Sequence, residues 1–480
     1  MLQLSGLDTA FLNMETNTTF GHVATLMLLD GAGIADSNPY AAIRSHFQAC
    51  ARRLPPLYRR LVEVPFGLDR PYWIDEGEVD IDFHVRHIGV PPPGNTAQLA
   101  ELIAHLVERP LDRSRPLWDL HIIEGLESNE VALLFKTHHA AADGASSMVM
   151  FSEIFSINPD PTPLPPAPPR TIETVPEAWE LLARAYGSML RYPLLGLGMQ
   201  IRALSTVLGG GPARQGAKSA DARLSRWLSG AAIEDLASAV MIAPRTPFNG
   251  TVSAHRRWAF TPVALERLKK IKQAAGSTLN DVVMSVCSGA LRRYLLRKGV
   301  LPDQPLIAMV PVSVRTGEEE ELYSNHVSSM LSELATDATD PRARLDRIRS
   351  SMQNAKEIHN AIPASLLQDF TKFAAPAVAA QAARAVARLR LADQVTPISN
   401  VVISNVPGSR ETLYLAGAEL TALVPVSTVS DGMGLNMTVI SYRERVVFGY
   451  VACRDQVPDL WDLIDDTQVA IDELAEAFGV

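Results

Sequence analysis

The chain has 480 residues, 47% hydrophobic and 20% charged, with a formal net charge of −9. At roughly 100–200 residues per domain, this length predicts two or three domains, each with its own core. The ordinary apolar-to-charged balance excludes wholesale disorder, and the anionic net charge argues against a nucleic-acid partner, so none is expected, though a local basic patch is compatible with it.

Cys50, Cys287 and Cys453 stand far apart without a CxxC pair, which fits neither a disulfide framework nor a zinc knuckle. Met1 to Asp8 shows neither the basic region nor the apolar core of a secretory signal. The longest apolar candidate, Tyr192 to Leu208, is interrupted by Gln200 and Arg202 and is not expected to cross a membrane. The expectation is a cytoplasmic protein, compatible with a peripheral seat on a lipid surface. One basic cluster, Arg52, Arg53, Arg59 and Arg60, reads as a solvated helix face or as a site for an anionic ligand.

In chain order, His22 to Leu29 predicts a strand, with a turn at Asp30-Gly31. Tyr40 to Leu54 predicts a helix with Ile43, Phe47 and Cys50 on one face. Trp118 to Glu124 and Val131 to Thr137 predict two short strands, a hairpin or sheet neighbours. Pro159 to Pro169 holds seven prolines in eleven residues, too few backbone donors for helix or central strand, so an extended linker is expected. Glu177 to Leu208 reads as a helical connector ending at Gly209-Gly210-Gly211-Pro212.

Thr278 to Arg297 carries the best helical pattern: Leu279, Val282, Val283, Val286, Cys287, Ala290, Leu291 and Tyr294 form a wide apolar stripe. Thr278 and Asp281 make a capping box at its start. Leu306 to Val314 predicts a strand and Ala364 to Leu391 an Ala-rich helix. Ile398 to Ser404, Leu420 to Val429, Met437 to Tyr442 and Val446 to Cys453 predict strands, and Leu460 to Phe478 a closing helix. The expected organisation is an α/β lobe over 1–158, a linker and helical connector over 159–229, and a second α/β lobe over 230–480.

No GxSxG elbow, GxxxxGK[ST] loop, HExxH helix or GxGxxG turn occurs, which removes the common signatures of serine hydrolases, phosphate-loop enzymes, zincins and dinucleotide enzymes. What remains is His138-His139-Ala140-Ala141-Ala142-Asp143-Gly144, directly after a predicted strand. Adjacent residues of an extended chain face opposite sides, so one histidine points into a cleft and the other into structure. An imidazole titrating near neutrality suits proton abstraction from an alcohol or thiol. Geometry alone leaves open which histidine does so. Asp143 starts the next helix as N-cap and is expected to hold the loop rather than orient a histidine. His121, His138 and His139 contain no pair with helical i,i+4 spacing, so no metal site is expected.

The HHxxxDG run resembles the signature of the coenzyme-A-dependent acyltransferase superfamily, which includes chloramphenicol acetyltransferase and peptide-synthetase condensation domains. The wider chain resembles one branch, the bacterial wax ester synthase/diacylglycerol acyltransferase family. Leu7-Asp8-Thr9-Ala10-Phe11-Leu12 is similar to its LDxxFL segment, Pro116-Leu117-Trp118 to its PLW, Asn280-Asp281 to its ND and Asn405-Val406-Pro407-Gly408 to its NVPG. Ala243-Pro244-Arg245-Thr246 and Ser324-Asn325-His326-Val327-Ser328 belong to the same pattern. Ser409 departs from it where many relatives continue with Pro.

The resemblance implies two chloramphenicol-acetyltransferase-like lobes, each a mixed sheet with helices, and an active-site tunnel between them. It implies His139 as general base, with His138 and Asp143 beside it and Asp143 mainly structural. Acyl-CoA would be a co-substrate, with no resident cofactor, and the acceptor a diacylglycerol or long-chain alcohol, at a membrane or lipid-droplet surface. Asn280 is a candidate oxyanion donor or a helix cap, and Gly144 adjoins the substrate. Pro116, Leu117, Trp118 and Asp281 shape the surroundings. The rival expectations are a same-fold transferase taking its donor from a carrier protein, and a lipid-surface protein without catalysis.

Overall fold

A computed structural model describes residues 1–34, 38–160, 167, 172–188, 242–313, 325, 327–361, 381, 384–385 and 387–480. Two six-stranded mixed sheets organise it. In spatial order the first sheet holds Tyr414–Leu415, Ala418–Val426, His22–Asp30, Glu130–His138, Trp118–Glu124 and Val85–Gly89. The second holds Val327–Glu333, Ile307–Ser313, Val401–Pro407, Leu435–Tyr442, Arg445–Cys453 and Arg256–Ala264. A small third sheet joins Leu2–Gln3, Tyr72–Asp75 and Arg59–Val62.

The two short runs around Gly125 pair antiparallel, with Trp118 opposite Thr137. The Glu130–His138 strand is the next-but-one neighbour of Ala418–Val426, and both flank His22–Asp30. By chain, Ala418–Val426 falls in the 230–480 stretch; in space it completes the first sheet, with Val424 opposite Leu26. The division by sequence and the division by sheet therefore differ at this strand. Beside it, Trp258 Nε1 donates to the Pro425 carbonyl at 3.0 Å. Leu26, Leu134 and Ile103 pack with Trp258, Val447 and Val451 in one buried cluster that joins the sheets. Burying side chains of this size is worth roughly 1.5–3 kcal/mol each, so this shared core fixes how the sheets meet.

Helices cover the second sheet as their patterns predict. Leu279–Arg297 buries Val282, Val283, Val286, Cys287, Ala290, Leu291 and Tyr294, and the expected capping box of Thr278 and Asp281 is present. Leu460–Phe478 packs beside it, with Ile471 and Leu474 in the same core. The helix expected over Tyr40 to Leu54 spans Pro39–Ala51. It stops early because Leu54 precedes Pro55 and is held extended at φ −94°, ψ 116°. Arg256–Ala264, not foreseen as a strand, is an edge strand carrying Pro262, which an edge tolerates.

The proline-rich segment 159–169 lies outside the described residues except for 159, 160 and 167, as does most of 364–391. The connector reading covers one described helix, 178–188; Tyr192 to Leu208 lies outside the described residues. Among the described residues no helix is long and apolar enough to cross a membrane.

Candidate active site

The site begins where the Glu130–His138 strand ends. His138 turns inward and is 1% exposed. Its backbone N–H donates to the Leu117 carbonyl at 3.0 Å. Its Nδ1 accepts the Ala140 N–H at 3.0 Å, so the neutral ring carries its proton on Nε2. That atom lies 3.2 Å from Glu15 Oε1. Glu15 also accepts the Gly21 N–H at 2.7 Å and two Arg113 donors, at 3.0 and 2.6 Å. Burial pushes the Glu15 carboxyl up, but the His138 contact and the Arg113 charge overcome it and hold its pKa at about 2.

Gly21 makes this packing possible. A Cβ there would stand 2.4 Å from His138 Nε2, so only a bare Cα admits the ring. The Gly21 carbonyl in turn accepts the His139 N–H at 2.8 Å.

His139 faces the other way and is half-buried. The Phe11 ring stacks on its imidazole at 4.0 Å between centroids and 14° between planes. His139 Nδ1 lies 3.2 Å from Asn325 Oδ1. Asn325 Nδ2 donates to Asp8 Oδ1 at 2.5 Å and to the His139 carbonyl at 2.6 Å. Asp8 and Phe11 sit three residues apart on the Gly6–Asn13 helix, hence on one face. Ser5 closes a capping box with Asp8 at the start of that helix and fixes the carboxylate. Burial lowers the His139 pKa below the usual imidazole value, against the opposing pull of its own backbone, the Asp143 charge and Asn325. The ring is therefore neutral at neutral pH, the form a proton acceptor needs.

Asp143 is fully buried and caps the Gly144–Ile154 helix, accepting the Ser146 N–H at 2.7 Å. Gly144 is exposed, and a Cβ added to it would meet Val406 at 3.6 Å. Asn280 is not the cap of its helix; Thr278 is. The Asn280 Oδ1 instead accepts from Asn405 Nδ2 at 3.3 Å. Asn405 and Val406 are neighbours on the Val401–Pro407 strand, so one strand of the second sheet touches both the HHxxxDG helix start and the Asn280-Asp281 helix start. Asp281 is buried and accepts the Thr278 N–H at 2.9 Å. In the Pro116-Leu117-Trp118 segment, Leu117 supplies the carbonyl that holds His138. Fully buried Trp118 donates to the Leu57 carbonyl at 2.8 Å and stacks on His84.

The anionic-ligand reading of the arginine cluster meets a correction. Arg52, Arg53, Arg59 and Arg60 each face a carboxylate, Glu78, Glu153, Asp75 and Glu76, at 3.3–4.0 Å. They form separate surface pairs, not a gathered cationic site. Among the described residues no three His, Cys, Asp or Glu side chains group as metal ligands do. A cavity of about 1230 Å³ adjoins the Glu15 side, between Leu12, Phe66, Arg113, Arg384 and Arg388.

Sequence reasoning named His138, His139 and Asp143 and missed the residues that hold them. Asp8, Phe11 and Asn325 lay inside matched segments without an assigned role. Glu15 and Gly21 carried no local signal, since their meaning comes only from contact with His138.

The catalytic-domain description of the wax ester synthase/diacylglycerol acyltransferase family matches residues 4–283, and the family's C-terminal domain matches 323–475. The chain is 35% identical to a protein of Mycobacterium tuberculosis strain H37Rv named as a probable diacylglycerol O-acyltransferase, over 98% of each chain. It is 32% identical to the O-acyltransferase WSD of Acinetobacter baylyi, covering 97% of this chain and 95% of that one. The solved wax ester synthase/diacylglycerol acyltransferase of Marinobacter aquaeolei VT8 superposes over all of both chains, with TM-score 0.70 and 28% identity. The first condensation domain of a calcium-dependent antibiotic synthetase shares the fold, with TM-score 0.58 and 12% identity over 99% of this chain and 96% of that one. The chain belongs to the bacterial wax ester synthase/diacylglycerol acyltransferase family.

Proposed function

We propose that His139 is the general base of acyl transfer from acyl-CoA to a lipid hydroxyl. The chain is an O-acyltransferase that moves a fatty acyl group to diacylglycerol, a fatty alcohol, or both. The observation that carries the assignment of the base is the His139 imidazole, half-buried and clamped between Phe11 and Asn325 at a strand end.

The acceptor hydroxyl binds beside His139, which takes its proton as the oxygen attacks the thioester carbonyl. A tetrahedral oxyanion forms and collapses. The carbon–sulfur bond breaks, and the coenzyme A thiolate takes back the proton from the imidazolium. The reaction needs no acyl-enzyme, so no nucleophilic Ser or Cys is required. Asn280 is the oxyanion donor in this scheme, its amide oriented by Asn405. His138 and Asp143 support the site from within the fold.

In the same reading, each sheet with its helices is a lobe of the chloramphenicol-acetyltransferase type, and the substrate tunnel runs between them. Exposed Phe66 on the cavity wall, with exposed Met14 and Leu68 adjoining lining residues in the chain, suits entry of a lipid acceptor from a membrane or droplet surface.

The test is a panel of acyl-CoA and acyl-carrier-protein donors against diacylglycerol and long-chain alcohols, with products identified by mass. Ester formed from acyl-CoA is the expected result. Transfer from the carrier protein alone, or lipid binding without any ester, would overturn the proposal.

A further inference from the structure

We infer that Asp8 and Asn325 form a positioning relay that fixes the tautomer of His139 and leaves Nε2 as its proton-accepting atom. This rests on the reading of His139 as the base.

The argument begins with the Asn325 amide, whose two ends cannot be exchanged. Its Nδ2 stands 2.5 Å from Asp8 Oδ1 and 2.6 Å from the His139 carbonyl oxygen. The His139 carbonyl can only accept. Rotating the amide by half a turn would set its oxygen against that carbonyl. The side chain is 6% exposed, so water is not at hand to relieve such a clash. The amide nitrogen therefore faces Asp8, and Oδ1 must face the His139 ring.

Oδ1 lies 3.2 Å from His139 Nδ1. An amide oxygen only accepts, so Nδ1 must carry the ring proton and Nε2 the lone pair. An amide orienting an imidazole is the Asn form of the triad arrangement, in which the third group sets tautomer and direction without taking the proton. Phe11 holds the ring plane, and the amide holds its rotation about that plane. His138 next door has the opposite assignment, with Nδ1 accepting and the proton on Nε2. Two adjacent histidines are thus locked into opposite tautomers by different neighbours.

The relay also ties the chain together. Asp8 comes from the first helix, His139 from the first sheet, and Asn325 stands just before the Val327–Glu333 edge strand of the second sheet. The bond from His139 to Asn325 joins residues 186 positions apart. The base is thus directed only when both halves of the molecule are in place.

The experiment is two-bond ¹H–¹⁵N correlation on ¹⁵N-histidine-labelled full-length protein, with His139 assigned by its absence in His139→Ala, alongside steady-state kinetics. Wild type should show a protonated Nδ1 and a bare Nε2 at His139. Asn325→Leu, of similar volume, should weaken that signature, which the His139 backbone also favours, and lower kcat by roughly 10²–10⁴-fold with little change in KM. A protonated Nε2 in wild type would overturn the relay, and that spectrum decides even if a variant fails to fold. So would an Asn325→Leu enzyme within twofold of wild type while His139→Ala is inactive. Survival of transfer in His139→Ala would instead overturn the assignment of the base itself.

Discussion

Replacing Glu15 by Gln should destabilise the protein at neutral pH and remove part of its acid sensitivity. Glu15 is held at about 2, against an ordinary value of 4.5. At about 1.4 kcal/mol per pH unit, that difference sets an upper bound of roughly 3 kcal/mol on the stability carried by the ionised form, since the part owed to charge on His138 is absent while that ring is neutral. The side chain is only 13% exposed, so solvent screening removes little of it. The folded value lies below the unfolded one, so the contribution is complete above about pH 4.5 and is lost as pH falls toward 2. Gln keeps the volume and an acceptor for the Gly21 N–H but presents no charge to Arg113. Urea unfolding of both proteins, followed by tryptophan fluorescence from pH 7 down to pH 3, measures the gap. It should be largest at pH 7 and shrink steadily below pH 4.5. A gap under about 0.5 kcal/mol at pH 7, or one constant across the range, would refute the reasoning.

Gly21→Ala forces a Cβ to 2.4 Å from His138 Nε2 and should cost roughly 1–3 kcal/mol by overpacking, read as a lower urea midpoint, together with a fall in kcat as the His139 backbone moves. The depressed His139 pKa places the acid limb of the kcat/KM profile below the usual imidazole value; activity should be full at pH 7 and fall only as the ring charges, which a pH–rate series with a soluble acyl-CoA checks. Asn280→Ala should lower kcat by roughly 10²–10³-fold if its amide receives the oxyanion, whereas a merely local packing role would shift the unfolding midpoint and leave kcat near wild type.

Much of the fold was legible because its signals are local. The Leu279–Arg297 helix announces itself through an apolar stripe and a capping box within four residues of its start, and Asp143 through its place ahead of a helix. The strand ending at His138 carries an unbroken apolar run from Val131 to Phe135. What stayed hidden is non-local. Nothing in Ala418–Val426 states that it pairs with His22–Asp30, because a strand pattern specifies a face and not a partner. Arg256–Ala264 was masked by its two leading arginines and Pro262, which only an edge position accommodates. The two histidines were visible as a pair. Their division of labour was not, because Glu15, Gly21 and Asn325 act through contacts made after folding. The arginine cluster shows the converse: four charges close in sequence separate onto four different carboxylates.

The most direct test of the central claim is single-turnover acyl transfer by His139→Ala, with coenzyme A release and ester formation followed together. A general base contributes roughly 10²–10⁴-fold, so both signals should slow together by that factor while the unfolding midpoint stays near wild type. Ester formation at a near wild-type rate in the folded variant would contradict the account.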